Sequence, residues 1–287
     1  MKLELNKFHR KKAAYFYIAC FLLSYAWLFF NGLLLHQLKP LFFLNRLDVT
    51  LNLLFLTGVQ KSVIHNHSLR LLLDIIYLLL PLLLFYSINR KTQPYVALLN
   101  SGYNLVYTLL LSTFSTLSIE GFMGWILLPL LFIIKTERGF YYLLHCLRYI
   151  FLMIFFSTGL WKLRAGGVFN LEEMSGILVK QHAAYISQQP FDWFANLIHY
   201  LIVHYKISYL LYLFTVLVEL SFVVGFFTKK FDKLLILLFL LFVLFDFVLM
   251  RINYFSWVAF LLCLWFAKYD EPTSANDKLS STIKKNG

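Results

Sequence analysis

A charge inside a long apolar run is costly in a bilayer, and by default it marks a site or an ion pair. Three such residues stand out. Lys162 closes the run FFSTGLWKL (155–163), Glu219 lies within LFTVLVELSFVVGFF (213–227), and Asp246 sits four residues from the end of the run 231–250. A lysine among carboxylates can be structural: it can snorkel to headgroups or pair with a buried acid, and removing one partner of such a pair costs about 3–5 kcal/mol. It can also be chemical, because burial disfavours the ammonium form and lets a lysine act as base or nucleophile. Both readings stay open at this point. Glu219 has no other charge in its run, so it must pair across helices, carry a proton or face water. Glu120, in the turn between two runs, shares the depth of Lys162 and Asp246. Asp74 has Arg70 four residues before it, a ready partner on one helix face.

Other reactive types carry less. His145 and Arg148, at i and i+3, suit a structural or headgroup role. His182, His199 and His204 do not match H-E-x-x-H, so no metal site is expected. Cys20, Cys146 and Cys263 lie in apolar runs without a C-x-x-C and read as small core residues. No G-x-S-x-G, P-loop or dinucleotide fingerprint is present.

The elements that must hold these residues are apolar throughout. The chain of 287 residues is 60% hydrophobic and 14% charged, with a mean hydropathy of +0.71. A soluble domain is roughly 25% charged. Eight runs are long enough to cross a bilayer, at 13–36, 69–88, 95–117, 121–134, 141–161, 207–228, 231–250 and 252–268. The fourth is short and contains Pro129, which predicts a tilted or broken helix. The first run is longer than the core of a signal peptide and reads as a retained span. The expected fold is therefore all-α: a polytopic membrane helix bundle of about eight transmembrane helices, with interfacial helices in the outer loops.

The formal charge of +12 does not point to nucleic acid, because the basic residues sit at the ends of runs, where they set topology. With the N-terminus inside, the inner segments hold sixteen of the 26 Lys and Arg residues and the outer segments nine, Arg148 lying within a run. Both termini are thus expected in the cytoplasm. Residues 1–12 form a basic cytoplasmic N-terminus, 13–268 the transmembrane bundle, and 269–287 a disordered cytoplasmic tail. Two long segments, 37–68 and 162–206, face outward. Within the first, 41–58 mixes apolar and polar residues and reads as interfacial. Within the second, NLEE (170–173) reads as a capping box with Asn170 as N-cap. The stretch PFDWFANLIHYLIVHY (190–205) reads as an amphipathic helix opening at Pro190, with Phe194, Leu197, Ile198, Leu201, Ile202 and Tyr205 on one face. Such a helix lies in the interface plane or covers an outward cavity.

FFSTGLWKL resembles the small-Gly-x-x-Lys-Leu that ends a span in the HTTM family (horizontally transferred transmembrane domain), best known for the vitamin K-dependent gamma-glutamyl carboxylases. LYLFTVLVELSFVVGFF (211–227) resembles that family's later Leu-rich span with an internal Glu. TLSIEGFMGWILLPLLFII (116–134) resembles its turn into a span ending in Leu-Pro, seen also in relatives that mature sporulation-delaying toxins. The resemblance covers about 15–265. It implies that Lys162 is a base at the outer face, with Glu219 and Asp246 beside it, and that a quinone or hydroquinone is the cofactor. The chain departs from the pattern: Phe169 and Gly176 follow the lysine motif at a longer spacing than the family's Trp and Gly, there is no His in NSGYNLVYTLLL (100–111), Asp246 stands about where a His would be looked for, and a polar tail stands in place of the carboxylases' large soluble domain.

The function this implies is a membrane-embedded modification or maturation factor acting at the outer leaflet on a peptide or quinone. Its partners would be the lipid bilayer and a peptide or protein substrate. Two alternatives are a DoxX-like quinone-linked redox subunit, whose family shares Gly-x-x-Lys-Leu, and a non-catalytic assembly or immunity partner.

Overall fold

Segments this apolar can satisfy their backbone in lipid only as helices or closed barrels, and helices are what form. A computed structural model describes residues 2–38, 55–114, 119–252 and 254–266, and among them there is no strand. The helices, in chain order, are α1 (Lys2–Phe30), α2 (Val59–His65), α3 (His67–Ser87), α4 (Gln93–Phe114), α5 (Met123–Leu127), α6 (Glu137–Arg164), α7 (Glu173–Gln188), α8 (Trp193–Val203), α9 (Tyr205–Ser221), α10 (Val224–Phe227), α11 (Asp232–Phe245) and α12 (Phe255–Phe266). A π-helical turn, Asp246–Met250, extends α11.

Among the described residues, five helical stretches are long and apolar enough to cross a membrane: Arg10–Phe30, His67–Ser87, Arg138–Arg164, Tyr205–Phe227 and Asp232–Met250. They correspond to five of the eight expected runs. The other three take other forms. The run 95–117 becomes α4, whose apolar character is interrupted by Asn100, Ser101, Asn104 and Thr108, all buried. The run 121–134 is broken into α5 between two 3-10 turns, Ile119–Phe122 and Leu128–Phe132, with Pro129 at the start of the second. The last gives the 12-residue α12.

The chain divides into two compact units, one of residues up to 147 together with those from 255 on, the other of 148–254. In the first, α1 packs on α12 and α3 on α4. Its centre is aromatic: Tyr77 stacks on Tyr107 with ring centroids 3.9 Å apart, and Phe21 meets Trp125 edge-on at 5.3 Å. The polar face of α4 is satisfied inward. Asn100 Nδ2 donates to the Tyr17 hydroxyl at 3.2 Å, and Ser101 Oγ donates to the Ile126 carbonyl at 2.6 Å.

Asp74, 1% exposed, is a structural node of this unit. Its carboxylate accepts from the backbone N–H of Leu35 (3.2 Å) and His36 (3.0 Å), from the Tyr107 hydroxyl (2.6 Å), and pairs with His36 Nδ1 (2.5 Å). The expected Arg70 partnership is replaced. Arg70 turns to the carbonyls of Leu35 and Leu38, at 3.3 and 3.2 Å, and so braces the same turn that Asp74 holds. The spacing i, i+4 put both residues on one face, but the turn after α1 supplied better-placed donors for Asp74.

In the second unit, Phe151 and Phe155 of α6 pack on Phe222, with Phe239 and Phe242 of α11 closing the cluster. Arg148, 1% exposed, reaches Asp232 at the N-terminus of α11 with two bonds, Nε to Oδ2 at 3.0 Å and Nη2 to Oδ1 at 2.5 Å. Nη2 also donates to the Gly225 carbonyl at 2.9 Å. The fork geometry of guanidinium suits this bidentate role, so Arg148 locks helices together rather than meeting headgroups. Of the cysteines, Cys20 and Cys263 are buried as expected, while Cys146 is exposed.

Candidate functional site

The second unit brings the reactive residues together. On α6 the positions 155, 158, 159 and 162 share one face, while Leu160 and Trp161 point away and are exposed. Gly159 is what lets α9 approach that face. A Cβ there would lie 3.0 Å from Leu220 Cδ2 and 3.2 Å from Glu219 Cβ, tighter than ordinary packing. One turn further on, Lys162 Nζ donates to Glu219 Oε1 at 2.7 Å. Glu219 is 3% exposed; the Lys162 side chain is 30% exposed. The pair joins the end of one candidate span to the interior of another, and Glu219 finds its charge partner across helices.

The other carboxylate oxygen of Glu219 is different. Oε2 is buried and has no hydrogen-bond partner. The nearest hydroxyl is that of Thr158, which lies 2.7 Å from the Phe155 carbonyl and within reach of the Glu219 carboxylate. A buried acceptor left without a donor is expensive, and proteins keep such groups mainly where a ligand, ion or water completes them.

Asp246 opens the π-helical turn and is 9% exposed. It interacts electrostatically with both Lys162 and Glu219 and is hydrogen-bonded by the Tyr254 side chain. π-Helical turns of this kind recur at functional sites. The ring of Tyr212, two turns before Glu219 on α9, lies 5.9 Å from Lys162 Nζ. Of the three residues singled out in the sequence, Lys162 and Glu219 are thus in direct contact, and Asp246 lies within electrostatic range of both. Glu120, the fourth, has its side chain outside the described residues.

The segment between α6 and α9 is a helical hairpin packed over the turn that carries Asp246. Phe194, Ile198 and Leu201 of α8 bury against Met174 and Leu178 of α7 and against Tyr212, Val216 and Leu249. The apolar face expected in 190–205 thus packs on protein, while Phe191 and Trp193 at the tip of the hairpin are exposed. The helix opens later than Pro190, at Trp193, because Asp192 Oδ2 accepts from the Phe194 N–H at 3.0 Å as N-cap. Tyr205, expected on the same face, begins α9 instead. The Tyr185 hydroxyl, donating at 2.7 Å, is the main cause that holds Asp192 below the usual carboxylate range. In NLEE the bonds form one residue early: Asn170 Oδ1 accepts from the Glu172 N–H at 3.1 Å and Asn170 Nδ2 donates to Glu173 Oε2 at 3.0 Å, while the helix starts at Glu173. That is an Asx turn leading into the helix rather than a closed capping box.

Two contacts pin this hairpin to the Asp246 turn. His182, 4% exposed, bonds the Leu249 carbonyl through Nε2 at 2.7 Å. The carbonyl can only accept, so Nε2 carries the proton. Burial pushes this imidazole below its ordinary range, the Leu249 bond acts against that, and the Arg251 charge adds to it. Arg251, in the left-handed region at φ 54°, lays its guanidinium over the rings of Phe194 at 4.0 Å and Tyr185 at 4.2 Å. Sequence reading missed Thr158, Gly159, Tyr212, Tyr254 and Asp232 as parts of these sites. Thr158, Gly159 and Tyr212 left a local signal, at i−4 and i−3 from Lys162 and at i−7 from Glu219.

With several helices long and apolar enough to span a bilayer, the fold is that of a multi-pass membrane protein. No family model, curated protein or solved structure matches the chain.

Proposed function

We propose that the cluster of Lys162, Glu219 and Asp246 is the working site of a membrane-embedded modification or maturation factor, resembling HTTM and vitamin K-dependent carboxylase-like proteins. In this reading the chain crosses the membrane about eight times, with both termini in the cytoplasm and the cluster toward the outer leaflet. Lys162 serves as base or nucleophile toward a peptide or a lipid-soluble quinone, and the two carboxylates hold and release its proton. One observation carries the reading: Lys162 is paired to a buried Glu219 whose second oxygen is left without a donor. A purely structural ion pair has its remaining lone pairs satisfied as well.

A comparison of membranes from cells making the wild type and Lys162→Met tests it. Peptides and extractable quinones are profiled by mass spectrometry, and each protein's monodispersity is checked in mild detergent. The reading expects a mass-shifted peptide or an altered quinone that appears with the wild type and is lost with a folded Lys162→Met. Identical profiles from two folded proteins overturn it.

A further inference from the structure

We infer that the tip of the α7–α8 hairpin is a lipid anchor: Phe191 and Trp193 insert at the boundary between headgroups and acyl chains, and the hairpin lies along the membrane surface. This surface is separate from Lys162 and Glu219 and does not depend on what they do.

Contacts at both ends of the hairpin fix its level. α9 and α11 belong to neighbouring candidate spans that pack on each other and are joined by the short segment 222–231. Two crossings joined in this way put the first turn of α9 and the last turn of the α11 stretch on one side of the bilayer. The base of the hairpin is tied to the first of these. The Tyr209 hydroxyl donates to the Val168 carbonyl at 2.5 Å, and Ser208 Oγ donates to the Leu201 carbonyl. The far end is tied to the second. His182 Nε2 donates to the Leu249 carbonyl at 2.7 Å, Gln181 Nε2 donates to the Met250 carbonyl at 3.3 Å, and Arg251 covers the rings of Phe194 and Tyr185. A hairpin projecting into water would have its far end clear of any span end. This one, whose α7 is 16 residues or about 24 Å long, is held at both. α7 ends at Gln188, one turn past Tyr185, so the tip stands at the level where the α11 stretch ends.

The residues at the tip suit that level. Phe191 is 94% exposed and Trp193 69%, while the next aromatic, Phe194, is buried. The apolar face of α8 is already filled by protein, so the two bare rings are surplus to the core. Trp is enriched at headgroup depth, where one edge of the ring is wet and the rest is apolar. Asp192 stands between the two rings, its carboxylate accepting from the Tyr185 hydroxyl at 2.7 Å and from the Phe194 N–H at 3.0 Å. A carboxylate is costly in hydrocarbon. It therefore limits the depth: the rings reach the acyl boundary and the charge stays among the headgroups. Lipid comes to the same level, because Phe247 and Val248, on the turn to which the hairpin is tied, are exposed within the candidate span Asp232–Met250. Two bare rings gain nothing in water, whereas the membrane boundary takes their apolar surface out of it.

The test uses the purified full chain in lipid nanodiscs. A phospholipid with a diazirine on the upper part of its acyl chain is photolysed with the wild type, and the labelled peptides are mapped by mass spectrometry. Label is expected at 191–193 as well as on exposed residues of α11 such as Leu237. Label on α11 with none at 191–193 overturns the inference. A second measurement attaches bimane to Phe191→Cys and, separately, to Trp193→Cys. Both carry Cys146→Ser, because Cys146 is the exposed native thiol and Cys20 and Cys263 are buried. Quenching by lipid brominated on its acyl chain is expected to exceed quenching by aqueous iodide several-fold. Iodide quenching alone places the tip in water, and resistance to both quenchers places a protein on it; either result overturns the inference. The wild-type arm decides if neither cysteine variant folds. No arm depends on turnover, so this test fails independently of the product comparison with Lys162→Met.

Discussion

At the scale of single residues, the cost of separating Lys162 from Glu219 is the most direct measure of the site. Lys162→Met strands a carboxylate that is 3% exposed and should destabilise the protein by about 3 kcal/mol, at the low end for a broken buried pair because the lysine itself is 30% exposed. Glu219→Met should cost less, since Lys162 can swing outward. The double variant should be more stable than the sum of the two changes allows, with a coupling of 0.5–3 kcal/mol, roughly the range for residues in contact. Unfolding by sodium dodecyl sulfate in mixed micelles gives the three values, and strict additivity would show that the pair does not form. Which charges matter was legible in the sequence, because a lone charge in an apolar run is conspicuous. Their partners were not. Lys162 and Glu219 are 57 residues apart, and Arg148 and Asp232 are 84 apart, so only packing could join them.

At the scale of elements, the α7–α8 hairpin is coupled to the turn bearing Asp246, and His182 makes that coupling pH-dependent. Its imidazole is held below its ordinary range in the folded protein. As pH falls through the ordinary imidazole range, the unfolded chain takes up a proton that the folded one refuses. Stability is therefore full above that range, falls as pH drops, and levels off once the folded imidazole also protonates. His182→Gln, which can still donate to the Leu249 carbonyl, should flatten the dependence between about pH 7 and pH 5. Unfolding temperature measured across that range for both proteins checks it, and an unchanged slope in the variant would assign the dependence elsewhere. The hairpin's existence was legible from its apolar spacing. Its partner was not, because the same stripe can meet lipid or protein, and the deciding contacts come from Tyr212, Val216 and Leu249 on later elements.

At the scale of the whole molecule, hydropathy speaks clearly for membrane spans and poorly for their number. Among the described residues, five helical stretches are both long and apolar enough to span, while α4, long but less apolar, the broken 121–134 region and α12 depart from a uniform apolar rod. In α4 the departure is a face of buried Asn, Ser and Thr, legible only once Tyr17 and Ile126 are seen to receive it. In the proposed topology of about eight crossings both termini lie on the same side, and the distribution of Lys and Arg points to the cytoplasm. Reporter fusions that are active only in the cytoplasm should therefore light up at both ends. A signal at one end alone would require an odd number of crossings. Residue 187, in the segment between α6 and α9, should be protected in intact cells from a membrane-impermeant thiol reagent only if that segment faces inward. With Cys146 replaced and Ser187→Cys introduced, labelling from outside is the expected result.

The sequence by itself determined the class of this protein, the approximate places of its spans and the three charges that had to be accounted for. Those follow from local properties, the transfer cost of each residue and its spacing along a helix. Only the tertiary structure decided that Lys162 meets Glu219, that a π-helical turn brings Asp246 within electrostatic range of them, and that Arg148 belongs to Asp232. Those depend on which helix faces come together. That choice is made by many weak packing contacts, such as the close approach at Gly159, and no single spacing encodes it.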